Sequence, residues 1–369
     1  MPRGTETILE INLNALAHNY RHLKSKLAPT TQFLGVVKAF AYGSDSAKIA
    51  RKLERLGIDY FAVAYVKEGV VLRDAGITSP ILVLHPQPVN FDVLIDRCLE
   101  PSLYAKKILA QFLETAKQHK QENYPVHIKF NTGLNRLGFG ENDIDHIIGK
   151  LDDRKEIKVR SIFSHLAASE DPNEAEFTGI QIGNFKRIAI EFRKKLGYDF
   201  DRHLLNTSGI INYPEAQFDM VRSGIGLYGF GNEAKIDAQL RPVATLKTII
   251  SQVHRIEPHE TVGYNRAFTS DIPRITATLP LGHADGIGRQ YGNGRASVSI
   301  NGKMVPIIGN VCMDMIMIDV TEVDCKEGDE VIIFGQNHSA EAFASKAQTI
   351  SYELLTGISQ RVKRVFVGD

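Results

Sequence analysis

The chain has 369 residues, of which 43% are hydrophobic and 24% are charged, and its formal net charge is +1. This length and composition are typical of a globular protein with one large and one smaller domain. A net charge so close to zero provides no electrostatic footprint for nucleic acid or for an anionic membrane surface. The three cysteines make no disulfide framework and their spacing matches no zinc pattern, so we expect no metal site.

The N-terminal sequence shows no targeting signal. Residues 1–6 lack the apolar core of a signal peptide, and no later run is long and apolar enough to cross a bilayer. We therefore expect a protein of the reducing cytoplasm that does not insert into membranes.

The first elements of the chain are a strand, a helix and a second strand. Residues 7–13 alternate between apolar and polar, and Asn14 then caps a predicted helix that continues to residue 27. Residues 32–37 form a nearly continuous apolar run, which is typical of a strand buried on both faces. Lys38 ends this run, and a helical pattern follows over residues 45–56.

Apolar runs at roughly regular intervals predict seven further strands. They cover residues 60–64, 81–84, 101–104, 126–130, 159–163, 203–206 and 218–221. Amphipathic stretches of helical length, such as residues 105–121 and 174–196, separate most of them. Parallel strands need such crossovers, and eight strands in this length close a (β/α)8 barrel of the TIM type. On this pattern alone, an open doubly wound sheet is the competing architecture.

The pattern changes near Arg241-Pro242. Short β-branched runs then follow one another at residues 243–256, 275–281, 296–300, 305–308, 315–320 and 330–334. Little between them looks helical until residues 340–355. This pattern predicts a mostly antiparallel second domain, so we expect a barrel of residues 1–240 and a β domain of residues 241–369.

Lys38 lies at the end of a predicted buried strand, where its amine has little contact with water. Burial lowers the pKa of an ammonium group toward neutrality, and the free amine can attack a carbonyl carbon to form a Schiff base. The simpler interpretation is that Lys38 extends its ammonium group from the strand end into solvent. The neighbouring residues alone favour this simpler interpretation. Support for a Schiff-base lysine has to come from the rest of the chain.

Polar side chains follow four later strands, at the end where a barrel builds its active site. They are Lys129, His165, Asn206 with Ser208, and Arg222. Each has an ordinary explanation by itself, such as a hydrogen-bonded core histidine or a helix cap. Together they predict a polar cup suited to a small anionic ligand.

The segment Gly224-Ile225-Gly226-Leu227-Tyr228-Gly229 matches the letters of the dinucleotide fingerprint GxGxxG. That fingerprint needs a long helix opening at the third glycine and an acidic residue about 20 positions later. No convincing amphipathic helix follows, so we reject NAD as a ligand. Glycines after the last strands still suit phosphate binding through backbone N–H groups.

Several separate motifs occur in a characteristic order along the chain. They are Val37-Lys38-Ala39-x-Ala41-Tyr42-Gly43, Lys129-x-Asn131-Thr132-Gly133-x-x-Arg136-Leu137-Gly138, Ser164-His165, Asn206-x-Ser208, Arg222-x-Gly224-Ile225-x-Leu227-Tyr228-Gly229, Gly263-Tyr264, Gly309-x-Val311-Cys312-Met313-Asp314 and Arg361-Val362-x-Arg364. With these motifs the chain resembles the alanine racemases nearly from end to end. The resemblance implies a barrel plus a β domain, with pyridoxal 5'-phosphate (PLP) as the cofactor.

The resemblance implies two bases on opposite faces of the substrate Cα atom, because racemisation removes a proton from one face and returns it to the other. Lys38 would hold PLP covalently and act as one base. The partner subunit's Tyr264 would be the other, although composition alone favours a surface tyrosine. A phenol has a pKa near 10, so the family implies that His165 and Arg222 hydrogen-bond into its surroundings.

Other family positions bind the cofactor or the substrate. Arg222 would donate to the pyridine nitrogen, leave it unprotonated and so limit side reactions such as transamination. Arg136 would bind near the substrate carboxylate, and Lys129 is the position of a possible carbamylated lysine. The cofactor contacts would come from Lys38, Tyr42, His165, Asn206, Ser208, Arg222, Gly224, Ile225 and Tyr352. Met313, Asp314 and Tyr291 of the second subunit would narrow the substrate entrance.

The resemblance implies a homodimeric enzyme that interconverts L-alanine and D-alanine. Its role would be to supply D-alanine for peptidoglycan. The main alternative is a broader racemase of serine, lysine or arginine with the same core residues. A PLP-dependent decarboxylase would have an acidic residue in place of Arg222, and a non-catalytic PLP-binding barrel would lack the second domain. A two-cysteine racemase is disfavoured because Cys98 has no matching partner motif.

The chain departs from the family pattern beside Lys38. Phe40 replaces the usual Asn, and Ser44-Asp45 replaces the usual His-Gly after Tyr42-Gly43. Near the C-terminus, Phe366 occupies a position where Tyr is common. None of these changes removes a catalytic group, but those beside Lys38 could alter its support.

Overall fold

The structure, a computed structural model, describes residues 6–152, 154–231 and 233–368. It starts with strand β1 (Ile8–Asn12) and helix α1 (Leu13–Lys24). The prediction that Asn14 caps this helix is wrong. Asn12 is the cap, because its side chain accepts hydrogen bonds from the N–H groups of Asn14 and Ala15, both at 3.0 Å.

Eight parallel strands close a barrel, with the last strand hydrogen-bonded to the first. They are β2 (Gln32–Val36), β3 (Tyr60–Val63), β4 (Ile81–Val83), β5 (Glu100–Leu103), β6 (Tyr124–Lys129), β7 (Ile157–Phe163), β8 (Asp201–His203) and β9 (Met220–Ser223). Most of their residues are buried, because helices cover the outside and side chains fill the inside. The predicted barrel is confirmed, and the open sheet is excluded.

Helices connect the barrel strands or follow the last one. They are α2 (Lys38–Gly43), α3 (Ser46–Arg55), α4 (Val66–Asp74), α5 (Phe91–Asp96), α6 (Lys106–Gln118), α7 (Ile144–Leu151), α8 (Ala175–Leu196), α9 (Thr207–Asn212) and α10 (Ala234–Asp237). The first of these, α2, is a left-handed turn, since Ala39, Phe40, Ala41 and Tyr42 all have φ between 51° and 55°. A left-handed residue other than glycine costs roughly 1–2 kcal/mol, so the turn needs support from the rest of the fold.

The remaining strands form a large sheet and a small hairpin. In chain order they are β10 (Ala244–Ile249), β11 (Gln252–Ile256), β12 (Thr261–Val262), β13 (Phe268–Thr269), β14 (Arg274–Leu279), β15 (Ser297–Ile300), β16 (Lys303–Ile308), β17 (Ile316–Asp319), β18 (Glu330–Phe334) and β19 (Lys363–Val367). The nine-stranded sheet has the order β11-β14-β17-β16-β15-β18-β10-β1-β19, and β12 pairs with β13. The predicted mostly antiparallel sheet is confirmed, with β1 and β19 as its parallel pair.

Two elements predicted in this part of the chain are each divided in the structure. The predicted run of residues 243–256 is two strands, because the chain leaves the sheet at Ile250 and Ser251. The helical residues 340–355 are two helices, α11 (Ala340–Ser345) and α12 (Ser351–Gly357).

The N-terminal strand β1 connects the barrel segment to the sheet. It pairs with β10 on one side and with β19 on the other, and α1 follows it directly. The division into residues 1–240 and 241–369 stays a prediction. Among the described helices, none combines the length and the apolar character that crossing a membrane requires.

Candidate active site

A cavity of about 700 Å³ lies at the C-terminal end of the barrel, where the loops after the strands meet. Lys38, Lys129, Arg136 and Arg222 line it, whereas none of the described lining residues is acidic. Tyr42, Tyr65 and Phe163 provide much of its aromatic wall. A cavity with this excess of positive charge is suited to a ligand that carries negative groups.

Lys38 follows strand β2 and contributes its amine to the cavity. Burial lowers the pKa of Lys38 and the charge of Arg136 lowers it further, whereas Glu68 opposes the shift. A lysine with a lowered pKa has more of its amine in the neutral, nucleophilic form near neutral pH. The structure therefore favours a reactive amine over an ammonium group that extends into bulk solvent.

Glu68, which the sequence analysis did not single out, holds the chain immediately after Lys38. Its Oε1 accepts from the N–H of Ala39 at 2.6 Å, and its Oε2 accepts from the N–H groups of Ala64 and Tyr65 at 2.7 and 3.2 Å. One carboxylate thus caps α4 and fixes the beginning of the left-handed turn. A glutamate in the third position of a helix was the available signal.

Arg364 supports the other end of the left-handed turn. Its Nε donates to the carbonyl of Gly43 at 3.0 Å, and its guanidinium lies 5.8 Å from the centre of the Phe40 ring. A side chain at Gly43 would overlap the carbonyl of Leu355 in α12. The turn that carries Lys38 is therefore held at both ends by distant parts of the chain.

Arg222, on β9, is 5% exposed and is fixed by several acceptors. Its guanidinium donates to the carbonyls of Ser164 and Leu204 at 2.6 and 2.9 Å, and to Nδ1 of His203 and of His165 at 2.8 and 3.2 Å. Burial lowers the pKa of Arg222 to about 9. The group remains a cation near neutral pH and can only donate.

His165 faces the same cavity as a neutral imidazole. Burial and the positive charges of Arg222, Arg136 and Lys129 lower the pKa of His165 well below its usual value. Its Nδ1 accepts from Arg222, so the remaining ring proton lies on Nε2. The ring therefore adds a polar but uncharged wall to a cationic cavity.

One side of the cavity is a mostly polar, uncharged cradle formed by Tyr42, Asn206, Ser208, Gly224, Ile225 and Tyr352. A Cβ atom on Gly224 would overlap the Tyr42 hydroxyl, so this position has room only for glycine. Burial raises the pKa of Tyr42, which keeps its hydroxyl protonated as a donor. Asn206 caps α9 by accepting from the N–H of Gly209 at 2.9 Å. Neutral donors beside a glycine segment form a suitable site for phosphate.

The loop after β6 presents Arg136 at the cavity. The side-chain oxygen of Asn131 accepts from the N–H groups of Gly133 and Asn135 at 3.2 and 2.9 Å, which shapes this loop. Arg136 forms no ion pair with the residues that the structure describes. Its guanidinium is therefore available for an anionic ligand.

The predicted residues of the second domain lie outside this cavity. Tyr264 and Met313 are 72% and 59% exposed, and the Asp314 carboxylate accepts from Arg361 at 2.6 Å. Tyr291 is 2% exposed and stacks on Phe343, with ring centres 4.5 Å apart. Burial, together with the charge of Glu353, raises the pKa of Tyr291 to about 12.

Comparison with known proteins covers nearly the whole chain. Residues 11–231 match the model of the alanine racemase N-terminal domain, and residues 243–366 match that of the C-terminal domain. The chain belongs to the alanine racemase family. Alanine racemase 2 of Caldanaerobacter subterraneus subsp. tengcongensis is 35% identical over 98% of this chain and 95% of its own.

Solved alanine racemase structures share the whole architecture. That of Clostridium difficile 630 has a TM-score of 0.93 and 33% identity, over 99% of this chain and 97% of its own. That of Bartonella henselae, which contains covalently bound pyridoxal phosphate, has a TM-score of 0.89 and 29% identity, over 99% and 100%. The fold is therefore shared over nearly the whole length of these chains.

The cavity brings together most of the residues that the alanine racemase motifs singled out. They are Lys38, Tyr42, Lys129, Arg136, His165, Asn206, Ser208, Arg222, Gly224, Ile225 and Tyr352. Tyr264, Met313, Asp314 and Tyr291 lie apart from it. The individual role of each residue stays a prediction.

Proposed function

We propose that this chain interconverts L-alanine and D-alanine by means of one base on each face of the substrate Cα atom. As a member of the alanine racemase family it is a PLP-dependent amino-acid racemase, and the proposal assigns the roles of its residues. The observation that carries the proposal is a single cavity containing Lys38, the donor-only Arg222 and the cradle around Tyr42.

The residues of the cavity fit each chemical part of PLP. The Lys38 amine suits the aldehyde, the Arg222 guanidinium suits an unprotonated ring nitrogen, and the cradle beside Gly224 suits the phosphate. When bound, PLP supplies an electron-withdrawing ring that makes the Cα proton of an amino acid removable. The residues of the chain decide where that proton goes.

Lys38 is assigned to hold the cofactor and to act as the base on one face. Its lowered pKa lets Nζ take or return a proton near neutral pH. Glu68 and Arg364 keep the turn that follows Lys38 in place, so that Nζ returns to the same position in each cycle.

Arg222 is assigned to the ring nitrogen of the cofactor. A guanidinium that only donates leaves this nitrogen without a proton and so moderates the electron demand of the ring. Moderate demand favours prompt return of the proton to Cα over side reactions such as transamination.

The second base is assigned to the partner subunit's Tyr264 in a homodimer. Support comes from an exposed side chain on a fixed backbone, since Asn310 donates to the Tyr264 carbonyl at 3.0 Å and Gly263 adopts a φ of 77°. Residues 241–369 would in this way complete the active site of the partner. His165 and Arg222 are assigned to the hydrogen-bonded surroundings of that phenol.

Arg136 is assigned to the substrate carboxylate, and Lys129 is assigned to hold Arg136 as a carbamylated lysine. Burial, with the charges of Arg136, Arg222 and Lys38, lowers the pKa of Lys129 to about 8. Only a neutral amine combines with carbon dioxide, so this lysine is predisposed to carbamylation. A carbamate would convert a cation into an anion able to hold the guanidinium of Arg136.

The partner's Met313 and Asp314 are assigned to the substrate entrance, where they would favour a small side chain. The burial of Tyr291 against Phe343 of its own chain does not support the same role for Tyr291. The biological role proposed is the supply of D-alanine for peptidoglycan in the cytoplasm, a setting that agrees with the three free cysteines. A broader racemase of serine, lysine or arginine shares the same cavity residues and is the alternative.

Chiral analysis of L-alanine incubated with the protein and PLP in D2O tests the function. D-alanine carrying deuterium at Cα is the expected product, because each base exchanges its proton with solvent. A yellow, PLP-loaded protein that exchanges nothing into alanine would contradict the proposal. Serine, lysine and arginine assayed in parallel distinguish the broader racemase.

A further inference from the structure

Arg222 begins a line of buried polar side chains that passes through the inside of the barrel. Nδ1 of His203 lies 2.8 Å from the Arg222 guanidinium, and Nε2 of His203 lies 2.8 Å from the hydroxyl of Ser161. This hydroxyl lies 2.6 Å from Nδ1 of His127, whose Nε2 lies 2.7 Å from Oε2 of Glu100. These five residues are all buried, and we call them the barrel relay.

The barrel relay crosses the barrel one strand at a time. Its members belong to β9, β8, β7, β6 and β5 in succession, and Glu100 is the first residue of β5, at the end of the barrel opposite the cavity. Tyr60, the first residue of β3, donates to the same Glu100 oxygen at 2.6 Å. Branched apolar residues normally fill these interior layers. A continuous polar path in their place calls for a function.

Elementary donor and acceptor rules give the relay one direction. Because Arg222 can only donate, Nδ1 of His203 accepts, and the proton of this imidazole lies on Nε2 and points at Ser161. Burial and the charge of Arg222 lower the pKa of His203 well below its usual value, in agreement with a neutral ring. Ser161 then donates its single proton to His127, whose Nε2–H donates to Glu100.

The opposite arrangement leaves a buried proton without an acceptor. If His127 were an imidazolium, it would donate to Ser161 from Nδ1 while His203 donated to the same oxygen. The Ser161 hydroxyl has no further partner among the described residues, so its own proton would be unpaired in a fully buried place. Leaving such a group unpaired costs about 1–3 kcal/mol.

We propose that the barrel relay is a positioning device for Arg222. His203, Ser161, His127 and Glu100 form a one-way hydrogen-bond chain that connects the buried guanidinium to a carboxylate at the far end of the barrel. Each bond polarises the next, which makes Nδ1 of His203 a stronger acceptor for Arg222. The benefit to the ring nitrogen of PLP rests on the proposed function, whereas the direction of the chain does not.

Nitrogen-15 NMR of histidine-labelled protein, with and without PLP, tests the direction of the hydrogen bonds in the barrel relay. The signals are assigned from His203→Asn and His127→Asn variants. Both rings are expected to be neutral, with the proton on Nε2 and none on Nδ1. An imidazolium or an Nδ1–H form at either position would overturn the one-way chain. This result does not depend on which amino acid the protein racemises.

A graded substitution in the middle of the relay tests the positioning of Arg222. Ser161→Ala is expected to weaken PLP binding by about tenfold, measured by titration of the apoprotein, because one link of the chain is lost. Ser161→Cys is expected to have an intermediate effect, since a thiol is a weaker donor and acceptor. Unchanged PLP affinity in Ser161→Ala would overturn the positioning role.

Ser102→Ala is the matched control for this series. Ser102 is equally buried and lies beside His127 on the neighbouring strand β5, but its hydroxyl has no hydrogen-bond partner among the described residues. Its loss is expected to leave PLP affinity within about twofold of the original. An equal loss of affinity in Ser102→Ala would attribute the effect to core packing and would contradict the relay.

Discussion

The barrel cavity and the exposed edge of the β domain differ in how completely one chain builds them. In the cavity, Arg222 is 5% exposed and contacts acceptors at the ends of two neighbouring strands, β7 and β8. On the β domain, the side chains of Tyr264 and Met313 are 72% and 59% exposed. In the proposed site, the cofactor half is therefore finished within one chain, whereas the half with the second base would be unfinished until two chains assemble.

The difference has a physical cause. A lysine with a lowered pKa and a fixed guanidinium require removal of water, and the closed barrel with its buried surroundings provides this. In the proposed homodimer, Tyr264 would serve the other chain and would need only a rigid backbone, which Asn310 and Gly263 provide. Substitutions in the finished half and in the unfinished half are therefore expected to have different effects.

Replacement of Lys38 should have the largest effect. Lys38→Ala removes both the covalent attachment of PLP and one base, so racemisation is expected to fall by at least about 10⁴-fold and the absorbance of the attached cofactor to disappear. Lys107→Ala, a change of an exposed lysine on α6, is the control and should keep full activity. Full turnover by Lys38→Ala would contradict the central assignment.

Replacement of Tyr264 should slow proton removal from one enantiomer of alanine more than from the other. Tyr264→Phe is expected to slow proton removal from L-alanine by about 10²–10³-fold, and from D-alanine by less, because each base serves one face. Solvent isotope exchange measured from each enantiomer checks this asymmetry. Tyr213→Phe, outside the cavity, is the control. Equal losses from both enantiomers would count against one base per face.

Mixed dimers of the same two variants test whether the unfinished half comes from the partner. A dimer with one Lys38→Ala chain and one Tyr264→Phe chain has one doubly impaired site and one intact site if Tyr264 acts across the interface. Random mixing should then restore roughly a quarter of the original activity, since half of the dimers carry one good site out of two. No recovery above the separate variants would place Tyr264 in the active site of its own chain.

Lys129, which lies in the finished half of the site, should make the free energy of unfolding depend on pH. Its pKa is lowered to about 8 in the folded chain, below its ordinary value of 10.5, so the folded state disfavours the charged form. The unfolded chain therefore binds more protons between these values, and stability should rise with pH across this window by roughly 2–3 kcal/mol. Below the window both states are charged and the full penalty applies.

Urea unfolding of the apoprotein at pH 7 to 10, in buffer free of carbon dioxide, measures this effect. The rise should be smaller in Lys129→Met, because Lys38 and Arg222 also have lowered pKa values and still contribute. An identical rise in Lys129→Met would attribute the pH dependence to another group. Intact-mass analysis after addition of bicarbonate then reports whether the lysine becomes carbamylated.

Replacement of Phe40 should have the smallest effect, because relief of backbone strain and loss of a ring contact change the free energy of unfolding in opposite directions. Phe40→Asn suits the left-handed conformation better but loses the ring beside Arg364. The free energy of unfolding is expected to change by less than about 1 kcal/mol. Phe40→Leu keeps the strain and loses the ring, so it should cost about 0.5–1 kcal/mol. A larger loss in the Asn variant would contradict this balance.

The barrel and the antiparallel sheet were predictable, because burial of a strand on both faces leaves a continuous apolar run and burial on one face leaves an alternating one. The same rule misplaced β8. We predicted a strand over residues 203–206, but β8 is Asp201-Arg202-His203, three polar residues. Arg202 pairs with Asp219, which directly precedes β9, at 2.8 Å, and His203 belongs to the barrel relay. Distant partners therefore satisfy polar side chains that the sequence pattern would assign to a loop.

The sequence by itself determined the fold class and the family, because periodicity and motif order are local properties that survive without coordinates. It also pointed to Lys38 and to the other cavity residues. Only the tertiary structure decided how they are supported: Glu68 and Arg364 hold the left-handed turn, and Glu100 ends a path that starts at Arg222. These contacts join residues that lie tens to hundreds of positions apart in the chain. No local pattern encodes them, because closure of the barrel and the pairing of β19 with β1 are what bring them within hydrogen-bonding distance.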